Sequence, residues 1–200
     1  MTEVIVTNGP QDLVPFSFDL SALVPRSVAS FCSNLVTRPT GSALRLGIES
    51  QLAELRTGCL SVLDFTQVMV LDYSCADEAV AKLIKRYQPD DRPAEAFFLA
   101  RGVAEQHREP LEEVLIRHDL VLAADVEGLG YTLLGAPPLL EQLVWAAVQQ
   151  AGTATIAQVA EAVQHPLADV ASALASLAQR RAVVRAPDGS VYCALSTLLV

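Results

Sequence analysis

The chain is short of aromatic residues, of histidine and of positive charge, and each shortage removes a class of explanation. Aromatics make up 6% of the 200 residues, with a single tryptophan, so the core must be built from aliphatic and small side chains. The formal net charge of −9 argues against loose, charge-driven binding to nucleic acid or an anionic membrane, although a local basic patch remains open. The three histidines, His107, His118 and His165, are scattered, and none stands in a nucleophile motif with serine or cysteine. No glycine-rich phosphate loop follows a strand, and Gly128-Leu129-Gly130 reads as a turn rather than a dinucleotide fingerprint. The four cysteines, Cys32, Cys59, Cys75 and Cys193, contain no CxxC pair and no nearby histidine, so no zinc motif or other cofactor is expected. They are read as free, buried thiols in a reducing cytosol. Met1 to Pro10 lacks a basic n-region and a sustained apolar core, so no signal peptide is expected. No apolar run approaches the roughly 18 residues that would span a bilayer, and Leu120 to Ala124 is far too short. These features lead to the expectation of a cytoplasmic, non-enzymatic protein with no membrane partner.

What remains is ample material for a core. The chain is 52% hydrophobic and 18% charged, and its length suits one large domain or two small ones. Val4-Ile5-Val6 reads as a short edge strand before the turn signal Asn8-Gly9-Pro10. Phe16 to Leu20 alternates like a half-buried strand, and Val24 to Asn34 reads as a short helix starting after Pro25. Thr37 to Gly41 breaks the chain and opens a helix, since a proline in the first turn has no N–H to lose. Leu44, Ile48, Leu52 and Leu55 then repeat at helical spacing, and Gly58 ends the helix. Cys59 to Phe65 is expected as a buried strand, 76–87 as a helix, Ala96 to Ala100 as a strand, and Gly102 to Arg117 as a helix kinked or divided at Pro110. Leu120 to Ala124 and Tyr131 to Leu134 complete an alternation that predicts an α/β fold with a partly parallel sheet.

Gly135-Ala136-Pro137-Pro138 reads as a domain boundary, dividing the chain into 1–135 and 136–200. Beyond it come three helical patterns: Leu139 to Val148, Ile156 to Val163, and one beginning at His165-Pro166 with Val170, Leu174 and Leu177 inward. Two short strands, Ala182 to Arg185 and Ser190 to Cys193, then flank the hairpin turn Pro187-Asp188-Gly189. Three helices followed by a β-hairpin make a winged-helix layout.

Two motifs give the first part a resemblance. One is Thr37-Arg38-Pro39-Thr40-Gly41, opening a helix that contains Arg45. The other runs from Val62-Leu63-Asp64-Phe65 through Leu71-Asp72-Tyr73-Ser74-Cys75-Ala76-Asp77-Glu78. Residues 15–135 resemble the STAS-like α/β domains, relatives of the anti-anti-sigma factors. In those factors the corresponding segment ends Asp-Ser-Ser/Thr-Gly, and a partner kinase phosphorylates the second hydroxyl residue. The resemblance places that hydroxyl at Ser74 and the aspartate at Asp72, while Tyr73 and Cys75 depart from the motif. It implies a protein-binding module whose partner is an anti-sigma-type kinase or another regulator.

The residues themselves allow plainer readings. Ser74 sits where an apolar run hands over to a helix, so it is either a contact and modification point or an N-cap worth about 1 kcal/mol. A phosphate there would add about −1.5 to −2 charges beside Asp72, Asp77 and Glu78, and so could expel an acidic partner surface. Arg38 and Arg45 share a helix face. With the backbone N–H groups of Thr40 and Gly41 they either receive an anion or form ion pairs with Asp64 or Asp72. Asp72, Asp77 and Glu78 read as helix-dipole partners in preference to metal ligands. In the winged-helix part, Arg180, Arg181 and Arg185 are the candidate nucleic-acid contacts. That part is slightly acidic and its third helix is rich in alanine and serine, which favours protein contact or homodimerisation over DNA. The expectation is a regulatory binding protein with Asp72, Ser74, Arg38, Thr40 and Arg45 at its contact surface. The alternative is a DNA-binding regulator with a STAS-like sensor.

Overall fold

The computed structural model describes residues 14–19, 34–54 and 59–199. The expected strand at Val4–Val6, the turn at Asn8–Pro10, all of the helix expected over 24–34 except Asn34, the Gly58 stop and Cys32 lie outside those residues. In chain order the first part comprises β1 (Val14–Asp19), β2 (Asn34–Leu35), α1 (Arg38–Glu54), β3 (Cys59–Asp64) and β4 (Val70–Leu71). A continuous helix follows in three segments: α2 (Tyr73–Ala76), a π-helical turn (Asp77–Ala81) and α3 (Lys82–Tyr87). Then come β5 (Ala96–Val103), α4 (Glu105–Arg117), β6 (Val121–Val126) and β7 (Gly130–Gly135).

The molecule is α/β. Its main sheet has the order β1-β3-β5-β6-β7, with the first four strands parallel and β7 antiparallel at the edge. A separate pair, β2 with β4, is also parallel and lies outside that sheet. Three expectations need correction. Asn34 belongs to a strand, because its neighbour Leu35 pairs with Leu71. Gly102 lies within β5, one residue before its end, with φ 67° instead of starting a helix. Pro110 does not divide α4, which runs unbroken with Pro110, its sixth residue, buried; one backbone hydrogen bond is forfeited there.

Side chains alternate across the sheet with period two. Cys59, Leu63, Phe98, Ala100, Leu122 and Ala124 face α1, the π turn and α4 in one hydrophobic cluster. Leu60, Val62, Phe97, Leu99, Val121 and Ala123 face the other way. That second face is covered by the remainder of the chain: α5 (Leu139–Ala151), β8 (Thr153–Thr155), α6 (Ile156–Val163), α7 (Leu167–Gln179), β9 (Val183–Arg185), β10 (Val191–Ala194) and a 3₁₀ turn (Leu195–Leu199). Here β8, β10 and β9 form a three-stranded antiparallel sheet. Val144, Trp145, Val148, Leu174 and Leu177 join the strand side chains in a single cluster, and the Trp145 indole N–H donates to the Ala182 carbonyl at 3.2 Å. The segment 135–138 therefore connects two layers that share a core. Cys59, Cys75 and Cys193 are buried and unpaired, and burial pushes the Cys59 thiol to about 11 and the Cys75 thiol to about 12. Among the described residues no helix is long and apolar enough to cross a membrane.

Candidate functional site

The two sequence motifs meet in space. Thr37 opens α1: its hydroxyl accepts the Thr40 N–H at 3.3 Å and shares a 2.8 Å hydrogen bond with the Thr40 hydroxyl, while Gly41 N–H donates to the Thr37 carbonyl at 3.0 Å. The Thr40 and Gly41 N–H groups are thus already used by the chain, which corrects the expectation that they stand ready for an anion. Gly41 is where α1 crosses the motif helix. A Cβ there would lie 2.7 Å from the Cys75 carbonyl oxygen and 2.9 Å from Glu78 Cβ.

That close approach brings cations over buried carboxylates. Arg38 Nη1 donates to Glu78 Oε1 at 2.8 Å and to Asp77 Oδ2 at 3.2 Å. Arg45 donates to Glu49 Oε1 at 2.9 Å and lies 3.9 Å from Glu78 Oε2. Lys82 is bonded to Glu78, Arg86 reaches Glu49 at 3.3 Å, and His118 Nε2 donates to Asp77 Oδ1 at 2.6 Å. The pairing of Arg38 and Arg45 with Asp64 or Asp72 is corrected: their partners are Asp77, Glu78 and Glu49. Asp64 instead binds Arg101, its register neighbour on β5, and the Thr66 N–H at 3.0 Å. Asp77 and Glu78 are not simple dipole partners at a helix start either. They lie in the π turn, where Lys82 N–H reaches back five residues to the Asp77 carbonyl. The wider turn lets two successive carboxylates converge on one guanidinium, and π turns of this kind are frequent at functional sites.

For Asp77, desolvation would raise the carboxyl pKa, but the His118 hydrogen bond, the His118 and Lys82 charges and the Arg38 hydrogen bond outweigh it and hold the pKa below its ordinary value. For Glu78 the Lys82 hydrogen bond dominates against desolvation, with Arg38 adding to it, and the pKa is again depressed. A depressed folded pKa means that the unfolded chain binds protons first as pH falls. The network's contribution is therefore complete above the unfolded values of about 4 and is lost as pH drops through the lower folded values. Urea midpoints measured from pH 6 down to pH 2 should stay level until about pH 4 and then fall. Glu78→Gln should flatten part of that fall, and an unchanged profile in this variant would exclude the network as its source.

Ser74 lies beside this network, at the first turn of α2. The N-cap is Asp72, whose Oδ1 accepts the Cys75 N–H at 2.7 Å and the Ser74 hydroxyl at 2.9 Å. The N-cap reading of Ser74 is thereby corrected: Ser74 braces the cap. It is partly exposed, and Met69, Val70 and Tyr73, close to it in the chain, are exposed apolar side chains.

The three C-terminal arginines are placed differently from one another. Arg180 donates to Glu141 Oε2 at 3.1 Å and to the carbonyl and carboxylate of Asp119 at 3.0 and 2.7 Å. Arg181 donates to Glu95 at 2.7 Å and stacks over the Phe97 ring at 4.7 Å, with its side chain 9% exposed. Both therefore fasten the second layer to the first. Arg185 is exposed, with Gly189 packed against its guanidinium.

Sequence reasoning missed Glu49, Lys82, Arg86 and His118. Two of these carried a signal, because Arg45/Glu49 and Glu78/Lys82 are four apart on a helix. His118 carried none, being 41 residues from Asp77. Among the described residues no three His, Cys, Asp or Glu side chains converge to hold a metal ion. No family model matches this chain, and no curated protein matches it in sequence.

Proposed function

We propose that this protein is a cytoplasmic, non-enzymatic regulatory module: a STAS-like α/β unit that binds a protein partner at the Ser74 face, fused to a winged-helix-like unit used for protein contact or self-association. The order of elements, the junction of the 37–45 and 71–78 motifs, and the three helices with an antiparallel three-stranded sheet support this reading. The observation that carries it is the geometry of Ser74. Its hydroxyl donates to the same Asp72 oxygen that caps α2, on an exposed surface with apolar neighbours. A phosphorylated Ser74 has no proton to donate there and adds about −1.5 to −2 charges next to a carboxylate. The cap, worth about 1 kcal/mol, is disturbed, and the charge of the docking face changes in one step. A kinase of the anti-sigma type is the partner class that would write such a mark. Occupation of Arg180 and Arg181 inside the protein supports protein contact over duplex contact for the second unit, since phosphate binding needs several available cations.

Partner capture by wild type, Ser74→Ala and Ser74→Asp tests the reading. The Asp variant should lose or gain at least one partner retained by the Ala variant. Identical partner sets for all three would remove the switch.

A further inference from the structure

The surface beside Ser74 has a definite character. Met69 is 67% exposed, Val70 46%, Tyr73 38% and Ile116 54%. Val70 lies on the β2–β4 pair, opposite Asn34. Tyr73 stands at the start of α2, an element in contact with α4, and interaction with Glu109, with the charge of Glu113, raises its phenol pKa. Glu109, Glu113 and Ile116 follow at helical spacing on one face of α4. An open groove of about 340 Å³ runs along that face, lined by Glu105, Arg108, Glu109, Glu112, Glu113 and Ile116. Arg108 and Arg117 are already paired with Glu112 and Glu113 at 3.0 and 2.6 Å. No cation lies within ion-pairing distance of Glu105 or Glu109 among the described residues.

We infer that Met69, Val70, Tyr73 and Ile116, rimmed by Glu105, Glu109 and Glu113, dock a basic amphipathic segment of a partner protein. Val70 and Tyr73 belong to β4 and α2, both in contact with α4, which carries Ile116, and exposed apolar side chains on adjoining elements mark interaction surfaces. The acidic rim selects the occupant, because an acidic or neutral segment would bring like charges or unpaired carboxylates together. The inference rests on the proposed Ser74 reading for its biological use and deepens it. On an acidic face, a negative charge at Ser74 draws a basic partner closer. The sign of the switch is then the reverse of expelling an acidic surface.

The test uses the full chain and a fluorescent 14-residue Lys/Leu amphipathic helix, its scrambled counterpart and a Glu/Leu analogue, read by anisotropy. The wild type should bind the Lys/Leu helix about tenfold more tightly than the scrambled peptide and should not bind the Glu/Leu analogue. Glu109→Gln with Glu113→Gln should weaken binding about fivefold at low salt, with the difference shrinking at high salt. Met69→Ser should weaken it at both. Glu161→Gln with Asp169→Asn, an equal charge change on exposed positions of the second layer, should leave it unchanged. All these side chains are exposed, so the variants should melt as the wild type does. Equal weakening by the two charge pairs, or equal binding of scrambled and ordered Lys/Leu peptides, would reduce the surface to net charge and overturn the inference. Partner capture that responds to Ser74 without any peptide binding would defeat this inference alone. Peptide binding with Ser74 silent in both assays would defeat the switch and leave the docking face.

Discussion

A chain ended at Gly135 is expected not to give a soluble, cooperatively folded monomer. Removing 136–200 strips cover from Leu60, Val62, Phe97, Leu99, Val121 and Ala123, all of which are 7% exposed or less in the intact fold. Burial of each larger side chain is worth about 1.5–3 kcal/mol, so the uncovered face forfeits on the order of 10 kcal/mol. That equals the whole stability of a typical domain, about 5–15 kcal/mol. The Arg180 and Arg181 clamps go with it. Size-exclusion chromatography and a thermal melt of the 1–135 fragment check the point. A monomer melting near the temperature of the full chain would show instead that the first layer stands alone.

The second large effect is expected at Gly41. Alanine normally gains up to about 1 kcal/mol over glycine inside a helix, so on propensity alone Gly41→Ala should stabilise. The contact decides otherwise. A Cβ at 2.7 Å from the Cys75 carbonyl oxygen and 3.0 Å from Cys75 Cα meets backbone, which cannot rotate away. Forcing α1 off the motif helix also lengthens the Arg38 and Arg45 contacts to Glu78. Overpacking costs about 1–3 kcal/mol, so Gly41→Ala should be net destabilising by about 1–2 kcal/mol. Gly41→Val, which adds β-branching, should lose about 3 kcal/mol or more. At about 2–4 °C per kcal/mol for a chain of this size, the valine variant should melt roughly 10 °C lower. A melting temperature at or above wild type for Gly41→Ala would mean that the helices do not cross there.

Much of the strand-and-helix order was legible because it rests on local patterns: a proline at a helix start, apolar runs, and glycine turns. The polar partners were not. Asp72 outcompetes Ser74 for the cap because its carboxylate reaches the Cys75 N–H and still accepts from the serine. Arg38 chooses Asp77 and Glu78 because the π turn rotates both toward α1, and no residue pattern announces such a turn. The shared core has a readable sign in the strands. Segments 59–63, 96–100 and 121–124, Ser61 apart, are apolar on both alternations, which is the pattern of strands covered on two faces. Among the described residues the α1, α2–α3 and α4 helices cover only one, and the cover for the other comes from beyond residue 135.

That sharing bears on how the protein is made. A ribosome delivers residues in order, and units usually fold as they emerge. Here the strands of the main sheet are complete by Gly135, yet one side of them stays greasy and unsheltered until the helices and strands beyond residue 138 have followed and packed against it. For that interval the nascent polypeptide carries a sheet with only one of its two layers in place, and it is a client for whatever chaperone meets it.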